Sequence, residues 1–483
     1  MKSISCLLCL LFLIKGTHGQ SGSVFNIEDY GAKAGPEINN SNAIQKTIDA
    51  CAAAGGGTVL IPAGRTFISG PIWLKSNMEL HLETGAVLKA SSDEKLYTES
   101  AFKANRGEGM LWIGGRQLSN VSITGQGTID GNGTSFMGAE LEDAYSLKPV
   151  TTEDPRPHLL TLIGCHNIRI TDLTIRDAAY WTVHLAGCTD VVISGISLLN
   201  ELKVRNSDGI DIDHSKNVRI SDCLIQSGDD CICLKNRREY SEYGSCENIV
   251  VNNCIMTSRS CAIKIGSENM DSIQHAIFTN CIITKSNRGI GIQNRDEGTV
   301  SDIVFSGIIM DGHFFSDVWW GKAEPIYVTA YPRASSNSKD GNWRFPKGKT
   351  EGLVGRVTDI HFNNIQCQSE NGIYIGGSEP GKISNIHFDN VHLKLNKITA
   401  IPGGVYDRRP ASIKGLIKAP TSGFYFDTAD SISITNCSVA WGPNKPDYFK
   451  GALKRINVPH LTISRLGDQD SFPVKAVNES QIQ

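Results

Sequence analysis

A short phrase of alternating apolar and polar residues recurs along most of the chain. Each copy has a polar residue, two apolar residues one position apart, a small polar turn and a further apolar residue. Copies begin at Asn167, Asn217, Asn248, Asp302, Asp359, Asn385 and Ser431. Where no insertion intervenes, successive copies are roughly 22 to 31 residues apart, which is the range of solenoid repeats. The pattern therefore predicts a stack of similar coils.

The alternation has the two-residue period of β-strands and is rich in Ile, Val and Phe. Asn, Asp, Ser and Gly interrupt each strand, and no helical segment separates one strand from the next. Such strands cannot form βαβ units, so the chain must coil on itself. We expect an all-β fold, a right-handed, single-stranded parallel β-helix.

One segment near the N-terminus has a helical pattern instead. Ile44, Ile48 and Cys51 lie on one face of a helix over 42–53, with Ser41 as a possible N-cap. Because the first coil of a solenoid exposes its apolar interior, this helix is expected to cap the N-terminal end.

The first residues have the pattern of a secretory leader. Lys2 precedes an apolar run from Leu7 to Ile14, and small residues follow before Gln20, so cleavage is expected near Gly19. The run is shorter than the ~20 apolar residues that span a bilayer, and no other segment approaches that length. We expect residues 1–19 to be a signal peptide and 20–483 to be one secreted, extracellular domain. Five glycosylation sequons fit this route: Asn39, Asn120, Asn132, Asn436 and Asn478.

Charge and cysteine content narrow the range of partners. Without the leader the chain has 45 basic and 50 acidic residues, and the basic residues are scattered without forming a stripe. This argues against nucleic acid as a binding partner.

Cys223, Cys254, Cys281 and Cys437 occupy the slot that Leu173 and Ile308 fill elsewhere, so they are predicted to be buried thiols. The remaining eight cysteines of the mature chain are expected to include disulfides.

A second family of strands follows the first in several coils, and acidic residues precede two of its members. Asp208 stands just before Ile210, and Asp229 and Asp230 stand just before Ile232. The two segments are one coil apart, and neighbouring coils are ~4.8 Å apart, so the three carboxylates are predicted to share one patch. Repulsion within such a patch raises one pKa, as glycoside hydrolysis requires of its acid.

Together these motifs resemble glycoside hydrolase family 28, the polygalacturonase and rhamnogalacturonase group. The resemblance extends from about Val24 to Leu466 and includes Asn26–Gly31, Gly55–Pro62, the Asn206-Ser-Asp208-Gly motif and the Gly-Asp229-Asp230 motif. It implies an inverting mechanism without a metal or other cofactor. Asp229 would be the general acid, Asp208 and Asp230 would activate water, and Asn206 would orient the site. Inversion would place the carboxyls ~6.5–9.5 Å apart.

The chain departs from the family pattern at two places. Ser260-Cys261-Ala262 stands where the family has Gly-His-Gly, and Gly291-Ile292-Gln293 stands where it has the Arg-Ile-Lys that grips a galacturonate carboxylate. The missing charge-assisted bonds are each worth about 1.5–3 kcal/mol, so the sugar-binding subsites are expected to differ. Candidate substrate contacts on the same coils are Lys264, Arg288, Gln293, Arg295, Trp320 and Lys322.

Other residues near these coils suggest further contacts. One of the adjacent Trp319 and Trp320 is expected to stack on a sugar while the other packs inward, by strand alternation. The loop Gly403–Pro410 is expected to fold over the cleft. His184 and His214 lie near the Asp coils and are more consistent with structural roles.

The sequence thus favours a secreted, monomeric hydrolase of an acidic, pectin-like polysaccharide, with a role in cell-wall organisation. Two alternatives stay open. A polysaccharide lyase of the pectate type would use Asp208, Asp229 and Asp230 as calcium ligands. A non-catalytic carbohydrate-binding solenoid would explain the two missing motifs as loss of activity.

Overall fold

The computed structural model describes residues 23–102, 109–141, 145–150, 155–333, 352–411, 413–469 and 475–476 of the 483. The expected leader and the sequon at Asn478 lie outside these residues. No helix in the described ranges has the length and apolar character needed to cross a membrane.

Parallel strands dominate the described residues and confirm the predicted right-handed parallel β-helix. The larger of two long sheets has 25 strands in these ranges. They are Val24–Asn26, Gly57–Ile61, Thr66–Ser69, Met78–Leu82, Val87–Ala90, Ser119–Gly125, Thr128–Asp130, His166–Thr171, Thr174–Arg176, Thr189–Ser194, Ser197–Leu199, Lys216–Ser221, Leu224–Ser227, Cys246–Asn252, Ile255–Ser258, Ile273–Thr279, Ile282–Ser286, Val300–Gly312, Val357–Ser369, Ile383–Leu395, Ser431–Thr435, Cys437–Trp441, His460–Ile463, Leu466–Gln469 and Lys475–Ala476.

The second long sheet, called the site sheet below, has 12 strands among the described residues, hydrogen-bonded in chain order. They are Ile72–Trp73, Met110–Arg116, Pro157–Ile163, Val183–Ala186, Ile210–Asp213, Ile232–Asn236, Cys261–Asn269, Arg288–Asn294, Ile326–Ala330, Ile373–Gly377, Phe424–Asp427 and Leu453–Ile456. It contains the second family of strands that the sequence predicted.

Small elements decorate the coil. An α-helix spans Ser41–Ala53 and buries Ile44, Ile48 and Cys51, as predicted, although its N-cap is Asn40. Short 3-10 helices span Ile27–Tyr30, Glu94–Leu96, Gly133–Phe136 and Arg238–Tyr243. Outside the two long sheets, two antiparallel hairpins among the described residues pair Met137–Glu140 with Leu147–Pro149 and Val405–Asp407 with Leu416–Lys418.

The core is built by in-register stacking of the apolar residues of the recurring phrase. Ile249 pairs with Ala276, Ala276 with Ile303 and Ile303 with Ile360. Phe305 stacks on Phe362 with ring centroids 5.2 Å apart. Because each rung covers the next, one hydrophobic cluster runs from Ile27 to Leu466.

The polar residue that opens each phrase has a structural task of its own. Asn217 and Asn248 adopt positive φ of 55° and 60°, a region that Asn tolerates better than most residues. Their side chains form an exposed ladder in which Asn248 donates to Asn217 at 3.0 Å and Asn217 donates to Asp190 at 2.9 Å. The ladder and the positive φ account for the Asn or Asp that opens every copy of the phrase except the one at Ser431.

The predicted disulfides are wrong. All twelve cysteines from Cys51 to Cys437 are free and buried. Cys223, Cys254 and Cys281 fill the interior slot as predicted, and the other cysteines are also enclosed as small apolar side chains. A large stacked core gives this fold its stability, so it does not need the cross-links of a small secreted domain.

Candidate active site

The three aspartates lie where the chain enters two neighbouring strands of the site sheet. Asp208 precedes strand Ile210–Asp213, Asp230 precedes Ile232–Asn236, and Ile210 pairs with Ile232. The backbone N–H of Gly209 donates to the Asp230 carbonyl at 2.8 Å. Stacking of consecutive coils therefore brings Asp208 beside Asp230, as the sequence predicted.

The carboxylates converge as well as their backbones. One oxygen of each of Asp208, Asp229 and Asp230 lies within 4.8 Å of the other two. Asp208 and Asp230 are each 3% exposed, and each has one carboxylate oxygen without a hydrogen-bond partner in the described structure. One water molecule can hydrogen-bond to two oxygens at that distance.

Burial and mutual repulsion set the proton affinity of the cluster. Desolvation, and then the charge of Asp230, raise the pKa of Asp229 to about 6. Desolvation also raises the pKa of Asp208 well above its usual range, with Asp211 and Asp229 adding to the shift. The site can therefore hold a protonated carboxyl next to an ionised one near neutral pH.

Two buried lysines offset part of this negative charge. Lys264 Nζ lies 2.8 Å from Asp230 Oδ2. Lys235 Nζ lies 2.8 Å from Asp211 Oδ1 and 3.7 Å from Asp208 Oδ2, and 3.8 Å above the Trp181 ring. Lys264 was predicted to contact the substrate, but the structure commits its ammonium group to Asp230.

Lys235 and Asp211 were missed by the sequence reasoning. Both occupy the outward-facing positions of strands whose other residues, such as Ile210 and Ile232, point into the core. The available signal was a charged residue at an outward position of the strand that directly follows each Asp motif.

Asn206 lies at the site through both its backbone and its side chain. Its N–H donates to Asp229 Oδ2 at 3.3 Å, and its Oδ1 accepts from Arg156 at 3.4 Å. Its φ of 59° turns the chain so that this N–H faces Asp229. The residue can therefore orient the predicted acid.

Three predicted anion binders are removed from the site by partners that the sequence did not reveal. Arg288 is 4% exposed and pairs with Glu324 at 3.0 Å. Arg295 is fully buried and donates to the Pro410 carbonyl at 2.6 Å. Lys322 is 2% exposed and donates to the Trp319 carbonyl at 2.6 Å. These assignments are corrected, because none of the three side chains is available to a substrate.

Gln293 shares this environment. It is 2% exposed, and its Nε2 donates to the Arg409 carbonyl at 3.3 Å. The prediction that it contacts substrate is therefore also corrected.

The two tryptophans do not follow strand alternation, because their segment lies outside any strand. Trp319 and Trp320 stack on each other with ring centroids 5.9 Å apart, and both are half-buried. Trp319 also stacks on Tyr145 at 5.3 Å. The predicted division into one inward and one outward ring is wrong, and Trp319 has the closer connection to the acids.

The loop Gly403–Pro410 folds over the site sheet as expected. It forms a hairpin whose Tyr406 stacks on Tyr374 at 5.0 Å and whose Asp407 carbonyl accepts from Arg288 at 3.0 Å. The hairpin therefore covers the outward face of the sheet, beginning two coils beyond Asp230.

The two histidines have structural contacts, consistent with the sequence prediction. His184 is fully buried with Nε2 3.2 Å from Asp213 Oδ2. His214 Nε2 lies 2.9 Å from the Arg237 carbonyl. Neither contacts the three aspartates directly.

A divalent cation is the other ligand that such carboxylates could hold. Asp208, Asp229 and Asp230 are the set of acidic or metal-ligating side chains in the described ranges that is close enough to bind one ion. Calcium prefers six to eight oxygen ligands, whereas Lys264 and Lys235 bring ammonium groups against two of these carboxylates. The donor set therefore fits a cation poorly.

Comparison with known proteins agrees with this geometry. The profile of glycosyl hydrolases family 28 matches residues 51–316, more than half of the chain. The chain belongs to glycosyl hydrolases family 28.

Curated relatives in this family are moderately similar. A probable polygalacturonase of Vitis vinifera is 30% identical over 271 residues, covering 52% of each chain. An exopolygalacturonase of Cochliobolus carbonum is 28% identical over 219 residues, covering 44% of this chain and 45% of the relative. The chain thus spans about half the length of the curated relatives it matches.

Solved structures share the fold over a longer range. The family 28 exopolygalacturonase of Yersinia enterocolitica superposes with a TM-score of 0.67 and 19% identity, covering 92% of this chain and 78% of the other. The polygalacturonase of Erwinia carotovora gives 0.58 at 20% identity, with 77% and 94% covered. At these identities the likeness establishes the fold alone.

Proposed function

We propose that this protein is a secreted, monomeric glycoside hydrolase that cleaves O-glycosidic bonds of an acidic, pectin-like polysaccharide. The observation that carries the proposal is the convergence of Asp208, Asp229 and Asp230 within 4.8 Å. The family supports a polysaccharide substrate, and the leader pattern supports export.

The proton affinities suggest how the three carboxyls divide the chemistry. Asp229, whose pKa is raised to about 6, is suited to protonate the departing glycosidic oxygen. Asp230, paired with Lys264, accepts the proton of the attacking water. Asp208, whose pKa is also raised by burial, holds that water by a hydrogen bond.

Inversion at the anomeric carbon is part of the proposal and rests on the family resemblance. The 4.8 Å figure joins one oxygen of each carboxyl, so it does not assign the stereochemical outcome, which is left to experiment. Proton NMR of the first-formed sugar distinguishes the two outcomes: inversion produces the opposite anomer to the substrate linkage, and retention produces the same one.

The main test follows new reducing ends when purified protein is incubated with acidic and neutral polysaccharides. Asp229→Asn keeps the shape of the side chain and removes the transferable proton, so turnover should fall by at least ~100-fold. Equal activity in both proteins would remove the proposed acid.

The calcium-dependent lyase is the alternative that the acidic cluster favours. A lyase would form unsaturated products that absorb in the ultraviolet, and a chelator would stop it. We expect no ultraviolet-absorbing product and no effect of chelator, because the ammonium groups of Lys264 and Lys235 already lie against two of the three carboxylates.

A further inference from the structure

The residues predicted to bind a sugar carboxylate do not explain its recognition. The family's Arg-Ile-Lys position holds Gly291 and Gln293, and the structure buries Arg288, Arg295 and Lys322 in contacts of their own. Lys264 is committed to Asp230. An acidic substrate would therefore need other cations beside the acids.

Two arginines of the turns that carry the acids meet this need. Arg205 directly precedes Asn206, whose N–H contacts Asp229. Arg259 lies one coil beyond Asp229. Ser227 pairs with Ser258, and the residues that follow each of them continue side by side. The two arginines therefore stand on either side of Asp229, two rungs or ~10 Å apart along the axis.

Aromatic rings join these arginines into one surface, which we call the arginine–aromatic cluster: Arg205, Trp319, Tyr145 and Arg259. Arg205 lies over the Trp319 ring at 5.1 Å, Trp319 stacks on Tyr145 at 5.3 Å, and Arg259 lies over Tyr145 at 4.5 Å. Burial, and then the charge of Asp229, raise the pKa of Tyr145, which places this cluster next to the acid.

Some donors of the cluster have no hydrogen-bond partner in the described structure. Across the described ranges, neither Arg205 nor Arg259 forms an ion pair with a carboxylate, and both are only half-buried. The buried Nε of Arg259 and the buried Nε1 of Trp319 have no hydrogen-bond partner there. A guanidinium stacked on a ring can still present its terminal N–H groups at its edge, and that edge matches a planar carboxylate.

We propose that the arginine–aromatic cluster is a uronate-binding subsite that takes over the carboxylate recognition lost with the Arg-Ile-Lys motif. Arg205 and Arg259 bind carboxylates of sugar units on the two sides of the scissile bond, and Trp319 and Tyr145 hold the two guanidinium groups in place by stacking. This proposal rests on the proposed function and specifies its substrate as a hexuronate chain.

The test compares two substrates that differ at one group of each sugar: polygalacturonate, and the same polymer after chemical reduction of its carboxylates to hydroxymethyl groups. Arg205→Gln and Arg259→Gln should each lower kcat/KM on polygalacturonate by about 10- to 100-fold. Neither substitution should change kcat/KM on the reduced polymer by more than about twofold. Arg205→Lys and Arg259→Lys keep the charge but lose the planar fork, so they should fall between.

Arg219→Gln is the matched control, because Arg219 is exposed on the larger sheet and its loss changes net charge equally. It should behave as wild type on both substrates, and thermal unfolding of every variant should show a folded protein. Equal losses on both polymers, or no loss on either, would overturn the subsite.

Binding separates this proposal from the proposed function. Calorimetry with trigalacturonate and Asp229→Asn measures the subsite without turnover, and adding Arg259→Gln should weaken binding by about 10-fold or more. If binding depends on Arg259 but the wild-type protein hydrolyses nothing, the subsite is supported and the proposed hydrolase activity is refuted. If the protein hydrolyses the reduced polymer but does not bind trigalacturonate, the hydrolase activity is supported and the subsite is refuted.

Discussion

Replacement of Lys264 by methionine is the sharpest perturbation of the site. The ammonium lies 2.8 Å from Asp230 Oδ2, and the side chains are 12% and 5% exposed. At an effective dielectric constant of ~20 this pair attracts by about 6 kcal/mol before desolvation is subtracted. Since Lys264→Met leaves a buried carboxylate without its partner, we expect the free energy of unfolding to fall by about 3–5 kcal/mol.

A double substitution tests the cause of that loss. Lys264→Met combined with Asp230→Asn removes the unpaired charge, so stability should return to within about 1–2 kcal/mol of wild type although activity is lost. Denaturant unfolding followed by circular dichroism compares wild type, both single variants and the double variant.

The same substitution has a second signature in the pH dependence of turnover. Lys264 lowers the pKa of Asp229, which burial and Asp230 raise, so its removal should raise that pKa further. The alkaline limb of kcat should move to higher pH in Lys264→Met. An unchanged limb, or equal destabilisation in the single and double variants, would refute the electrostatic account of the site.

Three further predictions follow from the same structure. Asp229 must be protonated to act as an acid, and its pKa is raised to about 6, so kcat should decline as pH rises through about 6. A kcat profile whose alkaline limb lies above pH ~8 would contradict this role. The twelve described cysteines are free, so titration of the unreduced, denatured mature protein with a thiol reagent should count twelve thiols, and a count reduced by pairs would reveal disulfides. The hairpin Val405–Lys418 covers the site sheet two coils beyond Asp230, so we expect cleavage at the ends of the polysaccharide. Reducing ends should then accumulate while the viscosity of the polymer solution falls slowly. A rapid loss of viscosity would show internal cleavage instead.

Much of the fold could be predicted because its information is local. Period-two alternation selects strands, and the recurring phrase sets the coil length, so Asp208 and Asp230 fall side by side whatever the rest of the chain does. The burial of Cys223 and Cys254 could be predicted for the same reason, since an interior position repeats in every coil.

The surroundings of the acids could not be predicted, because distant segments supply them. In the sequence, nothing distinguishes the cations that the fold pairs with other groups (Arg288, Arg295 and Lys322) from those that stay without an ion pair (Arg205 and Arg259). Only the folded chain brings the Pro410 carbonyl to Arg295, from 115 positions away, and Tyr145 to Arg259, from 114 positions away. Partners at such separations leave no periodic trace.

The sequence by itself determined a stacked parallel coil and the meeting of three carboxyls on one edge of it, since both depend on residue spacing within and between adjacent rungs. Tertiary structure alone decided which cations remain open beside those carboxyls. Charged side chains find their partners through space, and the hairpin that occupies some of them comes from coils far along the chain.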